Sequence, residues 1–142
     1  MLKLNCDGAM SRETLRDSEG KMIVAFSRKL NVNSILDAEL RAISHGLQIV
    51  QDKDIQENIV VETNSGQAVK LLTKGCPSDH GNALMVQHIS GQLASSEVVE
   101  IKHIWREANS LADTFAKFGF LLDEFKVFVI RNMRFHFSRL HF

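Results

Sequence analysis

The chain opens on an alternation. In Leu2–Asp7 the apolar Leu2, Leu4 and Cys6 interleave with Lys3, Asn5 and Asp7, the period of a half-buried strand, and Gly8 follows as a turn residue. After the polar run SRET (11–14), the stretch LRDSEGKMIVAFSRKL holds two strand-like pieces around Asp17-Ser18-Glu19-Gly20, which has turn chemistry. These three pieces predict an antiparallel meander. Asn33-Ser34 can cap a helix, with Asp37 three places after Ser34 in a capping-box arrangement. Leu36, Leu40, Ile43, Leu47 and Val50 then recur at helical spacing and predict one buried helix face reaching about Asp52. NIVVET (58–63) is short, apolar and β-branched, hence a buried strand. Asn64-Ser65 caps a helix through Ala68, Val69, Leu71 and Leu72 that stops at Gly75 and Pro77. A weaker helix spans 84–93, and in EVVEIKHIWR the residues Val99, Ile101, His103 and Trp105 take one side of a strand. Leu111, Phe115 and Phe118 form the stripe of a last helix from about Ala108. The order βββ-α-β-α-α-β-α is that of an α/β domain, a mixed sheet with helices packed against it.

Composition narrows this only a little. A chain of 142 residues, 44% hydrophobic and 24% charged, suits one globular domain with a real core. Seventeen basic and seventeen acidic residues cancel, so a nucleic-acid partner would need local clusters of Lys and Arg. Cys6 and Cys76 have no metal-ligand spacing and read as free thiols of a reducing compartment. No apolar run approaches the roughly 20 residues that span a bilayer, and the start lacks the apolar stretch of a signal peptide. The expectation is an intracellular protein, nuclear or cytoplasmic, with no membrane partner. The composition changes after Gly119. The stretch 125–142 carries five of the nine Phe, four Lys or Arg and two His, and no acid follows Glu124. The chain thus divides into a domain, 1–119, and a divergent basic-aromatic C-terminal extension, 120–142. That extension either binds nucleic acid by charge and stacking or, the favoured reading, is a terminal segment laid on the domain or an unselected extension of the reading frame.

Three acids sit where a strand end or a helix start could aim them at one point. Asp7 ends the first strand, Glu39 lies in the first turns of the first helix, and Asp113 in the first turns of the last. The carboxyl ends of parallel strands in an open α/β sheet form the usual ligand crevice, and the strand ending at Thr63 delivers Asn64 there. Clustered carboxylates suit one chemistry above others: holding two Mg²⁺ ions about 3.5–4 Å apart for an in-line phosphoryl displacement. Mg²⁺ takes a few carboxylates plus water and phosphate, so such a site needs no Cys or His.

NCDGA, DAELRAI, VVETNS and HIWREANSLAD together resemble the four signature blocks of type-1 ribonuclease H. The branch most similar is the plant ribonuclease H-like domains associated with retrotransposon reverse transcriptases. The resemblance covers residues 2–119. It implies a mixed five-stranded sheet, an antiparallel meander plus parallel strands, flanked by helices. It also implies a hydrolase, an Mg²⁺-dependent endonuclease that cuts the RNA of an RNA–DNA hybrid with a two-ion site. Asp7, Glu39 and Asp113 match three of the family's four metal-binding acids. Gly8, Arg106 and Asn109 match positions that would face the nucleic acid or support the site. His103 reads as a partly buried, satisfied histidine rather than a general base, and Trp105 as packing.

Two departures stand out. Asn64 occupies the place of the family's remaining catalytic Asp, where an amide keeps a carbonyl ligand and loses the charge. Glu62, two residues back on the same strand face, sits roughly 6.5–7 Å away along it and is no easy replacement. As a helix N-cap, Asn serves as well as Asp. The second departure is the short connection before Leu15, which predicts a truncated first hairpin, a stub of a second strand and exposed pairing groups. Both point to impaired nuclease activity. The competing readings are a non-catalytic module that binds nucleic acid or protein, and a degenerate remnant of a mobile element.

Overall fold

The computed structural model describes residues 1–8, 12–27 and 34–104, and the backbone of 126–131 and 134–139. Ten elements form in the order β1 (Leu2–Asp7), β2 (Arg12–Arg16), β3 (Met22–Ser27), α1 (Ile35–Asp52), β4 (Ile59–Thr63), α2 (Gly66–Lys74), α3 (Ala83–Ala94), β5 (Val98–His103), β6 (Lys126–Arg131) and β7 (Arg134–Arg139).

Local chemistry accounts for the meander. Asp17 Oδ1 accepts from the N–H groups of Glu19 and Lys21, both at 2.9 Å, and Gly20 takes φ +82° to close the turn between β2 and β3. β1 pairs antiparallel with β2 and parallel with β4, and β4 pairs parallel with β5. The expected mixed five-stranded sheet is therefore present. It is longer than expected, because β6 and β7 add an antiparallel hairpin to the outer edge of β3, giving the order β5-β4-β1-β2-β3-β6-β7. The C-terminal stretch contributes strands to the sheet instead of merely lying on the domain.

β2 is short, but it is not a stub. All five of its residues pair with β1, and its other side pairs with β3, so the exposed edge expected from the shortened connection does not arise there.

One face of the sheet holds the core. Leu2, Leu4 and Cys6 of β1 meet Leu15, Val24, Phe26, Ile59 and Val61 on that face. Against them pack Leu40, Ile43, Leu47 and Val50 of α1, Ala68 and Leu71 of α2, and Val86 and Ile89 of α3. All three described helices thus cover the same side. α1 begins as expected: Ser34 is its N-cap and accepts from the Asp37 N–H at 3.0 Å. α2 is capped by Ser65, which accepts from the Ala68 N–H at 3.1 Å, so capping does not explain Asn64.

β5 departs from simple alternation. Ile59 faces Val98 and Val60 faces Glu100, so Val99 is the extra residue of a bulge. Val98 and Ile101 therefore pack on the core, while Val99 is 55% exposed. His103 is exposed, not partly buried as expected. The expected last helix, with Leu111, Phe115 and Phe118, lies outside the described residues, as does Trp105. Among the described residues no helix is long and apolar enough to cross a membrane.

Candidate active site at the carboxyl ends of β1 and β4

Parallel pairing sets the site. Cys6 stands beside Thr63 in the β1–β4 register, so the next residues, Asp7 and Asn64, leave adjacent strands at the same level, about 4.8 Å apart in backbone terms. Asp7 is 3% exposed. The Oδ1 of Asn64 is buried and has no hydrogen-bond partner among the described residues, so none of them commits its amide carbonyl to a cap or a neighbour.

Glu39 arrives over the end of the sheet from the start of α1. Its Oε2 accepts a 3.0 Å hydrogen bond from the Gly8 N–H, tying the residue after Asp7 to the helix. The approach is close enough to demand glycine. A Cβ at position 8 would fall 2.1 Å from the Ala38 carbonyl oxygen and 2.4 Å from the Glu39 nitrogen. Asp37, two residues earlier, is occupied differently: Arg41 Nε lies 3.1 Å from both of its carboxylate oxygens. The helix start thus holds two acids in separate roles, Asp37 with the helix surface and Glu39 with the strand end.

Of the expected site residues, the structure brings Asp7, Gly8, Glu39 and Asn64 together at one end of the sheet. Asp113, Arg106 and Asn109 lie outside the described residues. Two further acids are buried near the site, Glu13 and Glu62, at 3% and 6% exposure; the sequence points to Glu62 as a neighbour of Asn64 but not to Glu13. Glu13 pairs with Cys6 across β1–β2 and with Phe26 across β2–β3, which puts it on the core face. The alternation of Glu13 and Leu15 against Thr14 and Arg16 carried that signal, but it is faint in a strand of five residues. Cys6 reports on the whole group. Burial first, then Glu13, Glu39, Asp7 and Glu62 in turn, push its thiol pKa well above the ordinary value. His103 pairs with Thr63 at the same end of the sheet, and its Nε2 lies 4.0 Å from where a Cβ on Gly66 would sit.

The donors gathered here are hard oxygens: two carboxylates and an uncommitted amide carbonyl. That set fits Mg²⁺, which prefers carboxylate, carbonyl and water ligands, and it offers nothing to a soft metal. No group of three or more metal-binding acids, His or Cys occurs among the described residues. Asp7 and Glu39 are thus the two charged donors that the described part of the site supplies.

A mixed sheet with a leading meander, three described helices on one face, and acids at the end of β1 and the start of α1 defines a ribonuclease H fold. Solved structures agree. Ribonuclease H1 from the archaeon Halobacterium salinarum superposes with a TM-score of 0.69 at 17% identity, over 80% of this chain and 92% of that one. LC11 ribonuclease H1 from compost, solved in complex with an RNA/DNA hybrid, gives 0.69 at 20% identity over 80% and 92%. The N-terminal ribonuclease H domain of Rv2228c from Mycobacterium tuberculosis gives 0.68 at 12% identity over 87% and 96%. At these identities the likeness establishes the fold.

Sequence supplies the family. The profile described as Reverse transcriptase-like matches residues 5–119, and this chain belongs to that family. A protein from Arabidopsis thaliana that carries the name ribonuclease H protein is 31% identical over 129 residues, 85% of this chain. The chain spans about a fifth, 21%, of that relative's length.

Proposed function

We propose that this chain is a ribonuclease H-like nucleic-acid-binding domain whose hydrolytic centre is weakened by Asn64. The observation that carries this reading is the Gly8 N–H to Glu39 Oε2 bond at 3.0 Å. It gathers the ends of β1 and α1 at the place where β4 delivers Asn64. The substrate class is an RNA–DNA hybrid, as bound by the LC11 relative. Such duplexes are read by shape and by RNA 2′-hydroxyls across the minor groove.

Asp7, Glu39 and Asp113 would hold Mg²⁺, with the Asn64 carbonyl in the remaining seat. Bound there, the metal would supply charge stabilisation for phosphodiester hydrolysis. The chain's own part is positional. Glu39 holds the Gly8 backbone, burial keeps the Asp7 carboxylate at a fixed strand end, and Ser65 keeps α2 capped beside Asn64. Arg106 and Asn109 would contact phosphate or support the site, and Gly8 would present backbone to the RNA strand. The domain comprises 1–119 with 120–142 as its extension, and the setting is intracellular, nuclear or cytoplasmic.

Replacing Asp by Asn removes a charge from the inner ligand set. Losses even in the shell outside a metal cost about 10–100-fold, so the unaltered chain should cut slowly at best. Asn64 also favours a second reading, a binding module without catalysis. Incubating the chain and its Asn64→Asp variant with labelled hybrid in Mg²⁺ or Mn²⁺ separates the two. The proposal expects the variant to cut at least about tenfold faster. Equal cutting by both chains would refute the weakening. Salt-sensitive binding without cleavage by either would favour the binding module.

A further inference from the structure

The sheet face turned away from the three described helices is polar directly beneath the site. Asn5 stands opposite Thr14 on β2 and opposite Glu62 on β4, so these three side chains share that face. Asn5 is 1% exposed and Glu62 is 6% exposed. Arg16, two residues beyond Thr14, belongs to the same face, and its guanidinium lies 3.6 Å from Glu62 Oε1. Since β1 runs between β2 and β4, this ion pair bridges two strands that do not touch, a span of about 9–10 Å between backbones. Arg16 stands opposite Lys3 and Glu62 opposite Asn5, so the pair runs diagonally across β1. Both ends of the Asn5 amide, together with Glu62 Oε1 and Arg16 Nε, are buried without a hydrogen-bond partner among the described residues. The Asn5 donor and the Glu62 acceptor are directly opposed and chemically complementary.

We propose that Arg16 and Glu62 form a clamp from β2 to β4 across β1 that fixes the spacing of Asp7 and Asn64. Each strand carries its site residue two positions beyond the clamp: Asn5 before Asp7, and Glu62 before Asn64. A side chain that locks one rung of a parallel pair limits how far the next rung can slide or splay. Glu62 and Arg16 are therefore positioning residues, and Glu62 is held in the ion pair instead of replacing the missing carboxylate. The clamp deepens the functional reading above by naming what holds that site. It accounts for a buried acid on β4 that the hydrolytic scheme does not use. Removing Arg16 leaves Glu62 as a buried charge without compensation, while removing Glu62 leaves Arg16 partly exposed, and either change breaks the coupling between the two residues.

Amide hydrogen exchange on the full chain, without metal or substrate, tests the clamp. Two protected amides report on the site: Gly8, bonded to Glu39, and Ser65, bonded to Thr63 Oγ1. Ile43 and Leu47 in the buried face of α1 report on global unfolding. In Glu62→Gln and in Arg16→Gln, exchange at Gly8 and Ser65 should accelerate about tenfold relative to Ile43 and Leu47. The double variant should be little worse than the more severe single one, and Arg16→Lys should restore most of the protection. If Glu62→Gln does not fold, Arg16→Gln, whose parent side chain is 21% exposed, carries the same comparison. Unchanged exchange at Gly8 and Ser65, or equal acceleration at all four amides, would overturn the clamp. Failure of hybrid cleavage bears on the functional reading alone, because exchange is measured without substrate.

Discussion

Gly8 shows how a single residue can be dictated by space. Its backbone passes so near α1 that a methyl group would overlap the Ala38 carbonyl. Gly8→Ala should therefore force β1 and α1 apart, lose the bond to Glu39, and destabilise the fold by about 2–3 kcal/mol. Chemical denaturation of the two chains measures this, and a change within about 0.5 kcal/mol would contradict the tight approach. Cys6 gives a second expectation. Its thiol is fully buried beside four acids, and its pKa is raised by burial first and by those carboxylates next. Alkylating agents should thus label the half-buried Cys76 in the native protein and reach Cys6 only on unfolding. The sign for stability follows from linkage. The unfolded thiol loses its proton near the ordinary value of 9.0 while the folded one still holds it. The Cys6 contribution is thus complete below that pH and is lost as pH rises toward the folded value. Unfolding free energy should fall with pH above about 9, less steeply in Cys6→Ala than in the parent. Parallel slopes in the two chains would remove Cys6 as the cause.

At the scale of elements, strong periodicity was readable and weak periodicity was not. α1 was legible from Ser34 to Asp52 because five apolar residues recur on one stripe behind a capping serine. β4 was legible because five consecutive residues are buried. β5 was misread at Val99, since a bulge changes which residues face inward and leaves no mark in the order of residue types. The meander was legible, but the extent of β2 was underestimated for a related reason: five residues with Arg at each end look like a polar loop when the neighbouring strands are unknown. In the site, Asp7, Glu39 and Asn64 were legible from their blocks and from element ends. Glu13 and the burial of Glu62 were not, because both depend on cross-strand register. The C-terminal hairpin belongs to this scale too. β6 covers the edge of β3, and removing 120–142 would expose that edge. The truncated chain should still unfold cooperatively, with lower stability and greater self-association on sizing columns. Loss of cooperative unfolding would instead make the C-terminal strands part of the domain proper.

For the whole molecule, formal neutrality means that no overall field draws it to a polyanion. Binding to a hybrid must come from local basic groups and from the site itself, and both should weaken as salt rises. The fold places the carboxyl ends of β1 and β4 and the start of α1 at one point, and the account rests on a divalent ion being held there. Paramagnetic broadening of backbone resonances by Mn²⁺ tests that location most directly, in the Asn64→Asp variant beside the parent chain. The account predicts that signals of Asp7, Gly8, Glu39 and residue 64 broaden first in the variant, and at higher Mn²⁺ in the parent. Broadening centred elsewhere on the surface, or none at these residues in the variant, would contradict it.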